Sequence, residues 1–446
     1  MSTTVVHKFG GACLAKPYTV QIAVDVLSKH VADTTVVTVS AAAGVTNVIR
    51  NLLANLFDNK NALNYAISQI DALHLPFIKK FPALEELNNH LTSELKRTMK
   101  RAKKAKVITD QQRESVLVLG ELFMAVTFAN FLGWLDLDAE VRTPEDLGLE
   151  VGGLPGRAHI DFGKDLSHLA QVIRAVRGIV VVPGYYGVDK TGQILTFGRS
   201  GTDYTATALG SILEADRVVV WKEVAGFMTA DPKLIPTAKV VESLDYSEAN
   251  ELAHFGAQCL HPRAVTAVKR KNIPVEVRDM FGDGRTLIHS ETTEGNPITV
   301  KSVTYLQNLS LLKTYLTTGS RQSGVLHNLT SRLAENSVLV YGMATSSVCI
   351  TLLVTKEDSR KILPLFRQER LYVEEMEEVD GVSLVCVVGK GLGASSQTKS
   401  KVFQVVANAG IEVDLISAGG SSNSLQFTVN DPDLARCLQV IHDAFF

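Results

Sequence analysis

Short runs of β-branched residues alternate with stretches of helical periodicity from the N-terminus as far as Ile288, and this alternation constrains the fold more than any other feature. Residues 36–39, 179–182, 217–221 and 273–277 read as buried strands, and residues 18–30 and 204–213 as helices between them. Such a chain forms a mainly parallel sheet covered by helices, an α/β fold. The pattern changes past the turn Gly282-Asp283-Gly284, a further strand at 286–288 and the polar stretch 289–297.

The remaining third reads as two short α+β units. A strand at 309–316, a helix near 324–335 and strands near 338–341 and 348–354 make one. A strand at 382–388, a helix at 399–408, strands at 412–416 and 425–429 and a closing helix at 432–444 make the other. Each repeats strand, helix, strand, strand, helix over about 65 residues, an internal duplication of ferredoxin-like type. Sheets this small expose an edge and complete their cores by pairing within or between chains. The expected domains are residues 1–298, 299–376 and 377–446.

The whole chain narrows the function classes. With 446 residues it needs more than one core, and a net charge of −2 leaves no electrostatic footprint for nucleic acid. The basic cluster Lys96, Arg97, Lys100, Arg101, Lys103, Lys104 and Lys106 has no interleaved aromatic platforms and reads as a solvated helix face. The five cysteines form no CxxC pair, so neither a disulfide framework nor a zinc site is expected, and a reducing cytoplasm is the simplest setting. Neither export nor membrane insertion is expected: there is no apolar run after a basic start, and no later uncharged apolar stretch of about 18 residues. Gly389-Lys390-Gly391-Leu392-Gly393-Ala394 fits a dinucleotide fingerprint, but too little chain follows for further crossovers. It reads as a strand-to-helix ligand loop in a small regulatory domain.

Chemistry concentrates elsewhere. Lys8 stands where the apolar run Val5-Val6-His7-Lys8-Phe9 meets Gly10-Gly11, and a second glycine turn carries Arg199 and Asp203 into a helix. Backbone N–H groups, an ammonium and a helix N-terminus together suggest a phosphate cradle. Glu121 falls in an apolar helix, where a lone carboxylate would cost several kcal/mol, so a cationic partner is expected: a structural salt bridge or a substrate ammonium. Thr46 follows the strand 36–39 and either caps a helix or offers its hydroxyl to a ligand.

Four further motifs follow in order. They are Pro183-Gly184-Tyr185-Tyr186-Gly187, Phe197-Gly198-Arg199-Ser200-Gly201-Thr202-Asp203-Tyr204, Trp221-Lys222-Glu223-Val224-Ala225-Gly226-Phe227-Met228-Thr229-Ala230-Asp231-Pro232 and Phe255-Gly256-Ala257-Gln258-Cys259-Leu260-His261-Pro262. With Lys8-Phe9-Gly10-Gly11 and Gly120-Glu121, the chain resembles the aspartokinases end to end, its tail similar to the paired ACT domains of monofunctional, amino-acid-regulated members.

The resemblance implies an amino-acid-kinase fold that transfers the γ-phosphoryl group of ATP to the side-chain carboxylate of L-aspartate, at the head of lysine, threonine, methionine and diaminopimelate synthesis. It also implies site roles. Lys8, Gly10 and Gly11 would steady the transferring phosphoryl group, and Arg199 would grip a substrate carboxylate. Glu121 and Asp203 would hold the substrate ammonium, with Thr46, Ser200, Gly201 and Thr202 completing the pocket. Lys222, Glu223, Met228, Lys233 and Gln258 would contact ATP, with Mg²⁺ arriving on its phosphates. Against these stand plainer readings: Asp203 as the cap of its helix, and Lys222 and Lys233 as surface charge.

Some positions depart from the family. Ala12 and Cys13 replace two residues that usually carry hydroxyls, Val118 replaces a common serine, and Gln258 stands where lysine is frequent. Glutamine at 258 also occurs in plant-type members and reads as subfamily variation, whereas Ala12 and Cys13 leave a second class of function open, an impaired relative acting as an amino-acid sensor. Near 336–347 the acid that lysine-sensitive relatives carry is missing, with Val340 close by, so lysine inhibition is not expected. A homodimer or higher homo-oligomer through the ACT pair is expected, binding another amino acid, such as threonine, or none.

Overall fold

The computed structural model describes residues 2–198, 200–256, 259–290, 300–317, 321–367 and 373–446. The chain divides into two compact units. The first holds residues 1–227, 242–246 and 259–291; the second holds 228–241, 247–258 and 292–446. Two excursions of the N-terminal part of the chain, within 228–241 and 247–256, pack with the C-terminal part.

An eight-stranded sheet forms the heart of the first unit, in the order Ser243–Asp245, Arg285–His289, Val275–Asp279, Arg217–Lys222, Thr4–Phe9, Thr34–Val39, Ile179–Pro183 and Ala139–Val141. Pairing is parallel except between Val275–Asp279 and Arg285–His289. Thr4–Phe9 is buried along its whole length, as a central strand covered on both faces must be. Register fixes which side chains share a face. Lys8 pairs with Val220, so Lys8 and Lys222 point the same way, while His7, Phe9 and Trp221 point the other way. On that other face the rings of Phe9 and Trp221 stack at 6.1 Å and the Trp221 indole donates to His7 Nδ1 at 3.2 Å.

The helix Leu119–Gly133 is buried around most of its circumference, as the apolar sequence around Glu121 predicts. Together with the short helix before it, residues 110–133 are long and apolar enough to cross a bilayer by length and composition alone, but Glu121 interrupts the uncharged run and 67% of the window is buried inside the protein, as in a core helix. The basic cluster lies on the helix Leu84–Ala105 and its C-cap, Lys106; the buried stripe of that helix is Leu84, Asn88, Leu91, Leu95, Met99 and Ala102. Its charges fall off that stripe.

The second unit contains a six-stranded sheet, ordered Gly342–Thr345, Cys349–Thr355, Ser302–Leu316, Val373–Val388, Ser424–Asn430 and Ile416–Ser417. The two duplicated halves do not follow one another cleanly. Ser302–Leu316 and Val373–Val388 are long antiparallel partners that run through both. Val303 packs with Val385, Val387 and Phe427 in one buried cluster, whereas Leu312 and Leu316 pack with Ile350, Ile362 and Phe366 in the other. Expected strands at 338–341 and 412–416 form instead at Gly342–Thr345 and Ile416–Ser417.

Candidate active site

Three of the residues singled out by sequence, Lys8, Asp203 and Lys222, meet at the carboxyl ends of the parallel strands, where open α/β sheets place their ligands. Lys8 is next to last in Thr4–Phe9 and Lys222 is last in Arg217–Lys222. Asp203 reaches them from the first turn of the helix Gly201–Leu213. Lys8 Nζ lies 2.5 Å from Asp203 Oδ1, and Lys222 Nζ lies 3.5 Å from Asp203 Oδ2. Lys222 is therefore a member of the cluster and not surface charge. Asp203 is not the helix cap either: Ser200 holds that position with φ of 57°, and Asp203 stands three residues further on.

Two ammonium groups and one carboxylate leave this buried cluster one positive charge in excess. Burial, with Lys222 close by, lowers the Lys8 pKa despite Asp203. Burial pushes Asp203 upward, but Lys222 and Lys8 more than reverse this and hold it below its ordinary value. A phosphoryl group arriving beside Lys8 would relieve the repulsion between the lysines.

The turn after Thr34–Val39 joins the rest of the site. Ser40 Oγ donates to Thr202 Oγ1 at 2.9 Å, and Ala43 N–H donates to Gly11 O at 3.2 Å. A Cβ on Gly11 would lie 2.8 Å from Ala41 O, and one on Gly10 would lie 3.1 Å from Lys8 Nζ, so a side chain at Gly11 would collide with backbone and one at Gly10 would crowd the Lys8 ammonium. Gly120 packs in the same way: a Cβ there would come within 2.7 Å of Ala41 Cβ and 2.8 Å of Val45 Cγ1. That close approach brings the next residue, Glu121, to the Ala41 amide.

Glu121 is 3% exposed, and its Oε2 has no hydrogen-bond partner among the described residues. The cationic partner expected within the protein is not in place: Arg50 acts on Glu121 only through its charge, while its guanidinium donates to Tyr185 OH at 3.2 Å. Burial pushes the carboxyl up to about 7, against the Ala41 amide, the Glu121 amide and Arg50, which pull it down. A buried, half-satisfied carboxyl is ready for an incoming cation.

Other expected residues fall outside this cluster. Thr46 is half-buried at the second position of the helix Val45–Asn55, whose cap is Gly44, so Thr46 does not cap it. Glu223 is exposed. Met228 and Lys233 belong to the second unit, Met228 half-buried and bridged to Val240, Lys233 exposed. Arg199 and Gln258 lie outside the described residues. Cys13 is buried and turns its thiol to Trp221 O at 3.5 Å, while Ala12 is exposed. The thiol at the departure from the family pattern is thus engaged with backbone.

Sequence reasoning missed Ser40, Arg50 and Glu114, and gave Tyr185 a place in a motif but no role. Glu114 is buried and accepts from Thr196 N–H at 2.5 Å and Gly156 N–H at 3.3 Å, tying down the chain before the glycine turn. Its helix carries a capping box at Thr109 and Gln112, a legible signal for the helix but not for this contact.

The sequence profile of the amino acid kinase family matches residues 3–279, more than half of the chain. The chain belongs to that family. A profile of the ACT domain matches residues 385–445. Among curated proteins it is 28% identical over 469 residues to lysine-sensitive aspartokinase 3 of Escherichia coli strain K12, covering 100% of both chains. Among solved structures it superposes on E. coli aspartokinase III in complex with aspartate and ADP (R-state) with a TM-score of 0.85. Identity there is 25%, over 99% of this chain and 100% of the other. The same enzyme in complex with lysine and aspartate (T-state) gives a TM-score of 0.74 at 25% identity, over 99% of each. The resemblance to aspartokinases, and the amino-acid-kinase fold followed by ACT-type sequence, therefore hold along the whole chain.

Proposed function

We propose that this amino acid kinase transfers the γ-phosphoryl group of ATP to the side-chain carboxylate of L-aspartate, giving 4-phospho-L-aspartate and ADP. The observation that carries the reading is the Lys8–Asp203–Lys222 cluster, in which two lysines converge on one buried carboxylate. It occurs in a chain that matches, from end to end, an aspartokinase solved with aspartate and ADP. A carboxylate oxygen of aspartate forms the new bond to the γ-phosphorus, and the bond to the β,γ-bridging oxygen breaks, leaving that oxygen on ADP. The acceptor is already anionic, so no protein nucleophile or base is required. The protein supplies position and charge. Lys8 and the amides of Gly10 and Gly11 meet the transferring phosphoryl group, and Lys222, Glu223, Met228, Lys233 and Gln258 serve the nucleotide. Arg199 pairs with a substrate carboxylate in bidentate fashion. Glu121 takes the substrate ammonium, with Thr46, Ser200, Gly201 and Thr202 beside it. Asp203 organises the lysines, a role its two ion pairs support.

Among the described residues no group of three or more His, Cys, Asp or Glu could hold a metal ion. Magnesium fits instead as the nucleotide's own counter-ion, neutralising phosphate charge beside the lysines. The sensor alternative is less well supported, because a binding protein has no need of two lysines drawn to one buried carboxylate. The five free cysteines agree with a cytoplasmic setting at the head of the aspartate-derived amino-acid pathway. The six-stranded ACT-type sheet favours assembly as a homodimer or larger homo-oligomer, with an amino-acid effector. Lysine is a poor candidate for that effector here: Val340 packs against an apolar core and brings no acid to an ammonium.

A coupled assay of ADP release tests the activity. Turnover should require L-aspartate and be weak or absent with L-glutamate or N-acetylglutamate; ADP release independent of aspartate would refute the assignment.

A further inference from the structure

In the second unit, segments 228–241 and 247–258 are held by the ACT-bearing part of the chain. Ala230 and Ile235 share a buried cluster with Val303, Val385, Phe427 and Ile441. Polar contacts then fix the first segment residue by residue. Ser302 Oγ donates to Met228 O at 2.7 Å and Val303 N–H to Thr229 O at 2.8 Å. Thr229 Oγ1 shares a hydrogen bond of 3.0 Å with His442 Nε2 and accepts from Lys239 N–H at 2.9 Å. Tyr305 OH donates to Asp231 Oδ2 at 2.9 Å, while Asp231 Oδ1 accepts from Lys233 N–H at 3.0 Å. Two side chains thus bracket the stretch from Met228 to Lys233: His442 grips it at Thr229, and Tyr305 reaches Lys233 through the carboxylate of Asp231.

The glycine loop after Val373–Val388 serves the second segment. Lys390 N–H donates to Glu248 Oε1 at 2.8 Å, Gly391 N–H to Asn423 Oδ1 at 3.2 Å and Gly393 N–H to Ser422 O at 2.9 Å. With these amides engaged, the loop is an anchor for the helix Tyr246–His254 and not the ligand loop that its sequence suggests.

We propose that Tyr305 and His442 are positioning residues for the nucleotide, setting the affinity for ATP from within the ACT-bearing unit by fixing Met228 and Lys233. This rests on the reading of Met228 and Lys233 as nucleotide contacts. Both anchors belong to the ACT-bearing part of the second unit. Ser302–Leu316, which carries Tyr305, runs through both buried clusters of the duplicated halves, and the helix Leu434–Phe445 carries His442.

Full-length Tyr305→Phe and His442→Gln proteins test this by steady-state kinetics with ATP and aspartate varied separately, and by calorimetric titration with Mg·ADP. Each variant should raise KM for ATP and Kd for ADP about 3–10-fold, the effect of one lost hydrogen bond. KM for aspartate and kcat should stay within about twofold. Lowered melting temperatures with unchanged KM for ATP and unchanged ADP affinity would overturn the proposal, since a merely structural role predicts that result. Tyr305→Phe removes a single oxygen and decides the matter if His442→Gln does not fold. Absence of aspartate-dependent turnover and of ADP binding in the unmutated protein would refute the kinase reading itself; activity there with unmoved variants would refute only this inference.

Discussion

Glu121 has an ordinary carboxyl value of 4.5 when exposed and about 7 in the folded chain, so between those values the folded state holds a proton that the unfolded state has lost. The group's contribution is therefore complete below pH 4.5 and lost as pH rises through 7, a penalty on the order of 3 kcal/mol. Glu121→Gln should be more stable than the unmutated protein above pH 7, with the gap closing towards pH 4.5; denaturant titrations across that range check this, and a gap independent of pH would contradict it. Binding an ammonium would lower the Glu121 pKa, so aspartate binding near pH 7 should release a proton and weaken sharply in Glu121→Gln. Lys8, Asp203 and Lys222 are legible in the sequence because each sits beside glycines or within an ordered motif. Ser40 is not: its partner Thr202 lies 162 residues away, and only the sheet brings them together. The same holds for Cys13, whose partner is the carbonyl of Trp221.

Secondary structure places these side chains through close approaches that only glycine permits. Gly120→Ala would press a methyl group into Ala41 and Val45, and overpacking of this kind costs about 1–3 kcal/mol. A loss of that size in thermal denaturation, accompanied by weaker aspartate binding, is expected; a neutral substitution would show that the turn after Thr34–Val39 is looser than its contacts imply. The parallel strands are readable because strands buried on both faces are apolar throughout. Val373–Val388 is legible only from 382 onward, since its first half is rich in glutamate and largely exposed. Pairing with Ser302–Leu316 extends it, a tertiary effect that overrides local composition.

Across the whole chain, duplication is visible as a repeated order of elements, but the sharing of long strands by both halves is not, because hydrophobic periodicity does not record which strands pair. Sharing has a consequence for regulation: one strand, Ser302–Leu316, packs in both buried clusters, so a ligand that shifts it would act on both halves together. Lysine should leave the rate unchanged, given Val340, and a panel of pathway amino acids including threonine checks this; inhibition by lysine would contradict the part assigned to Val340. In the proposed reaction the γ-phosphoryl group of ATP passes to an aspartate carboxylate at the Lys8 cluster. Trapping the acyl phosphate with hydroxylamine in the presence of Mg·ATP and L-aspartate tests it most directly, with Lys8→Ala alongside. Aspartate-dependent hydroxamate is expected, falling at least about a hundredfold in Lys8→Ala, the loss that follows when a group stabilising transferred charge is removed. No hydroxamate from the unmutated protein, or equal yields from both, would contradict it.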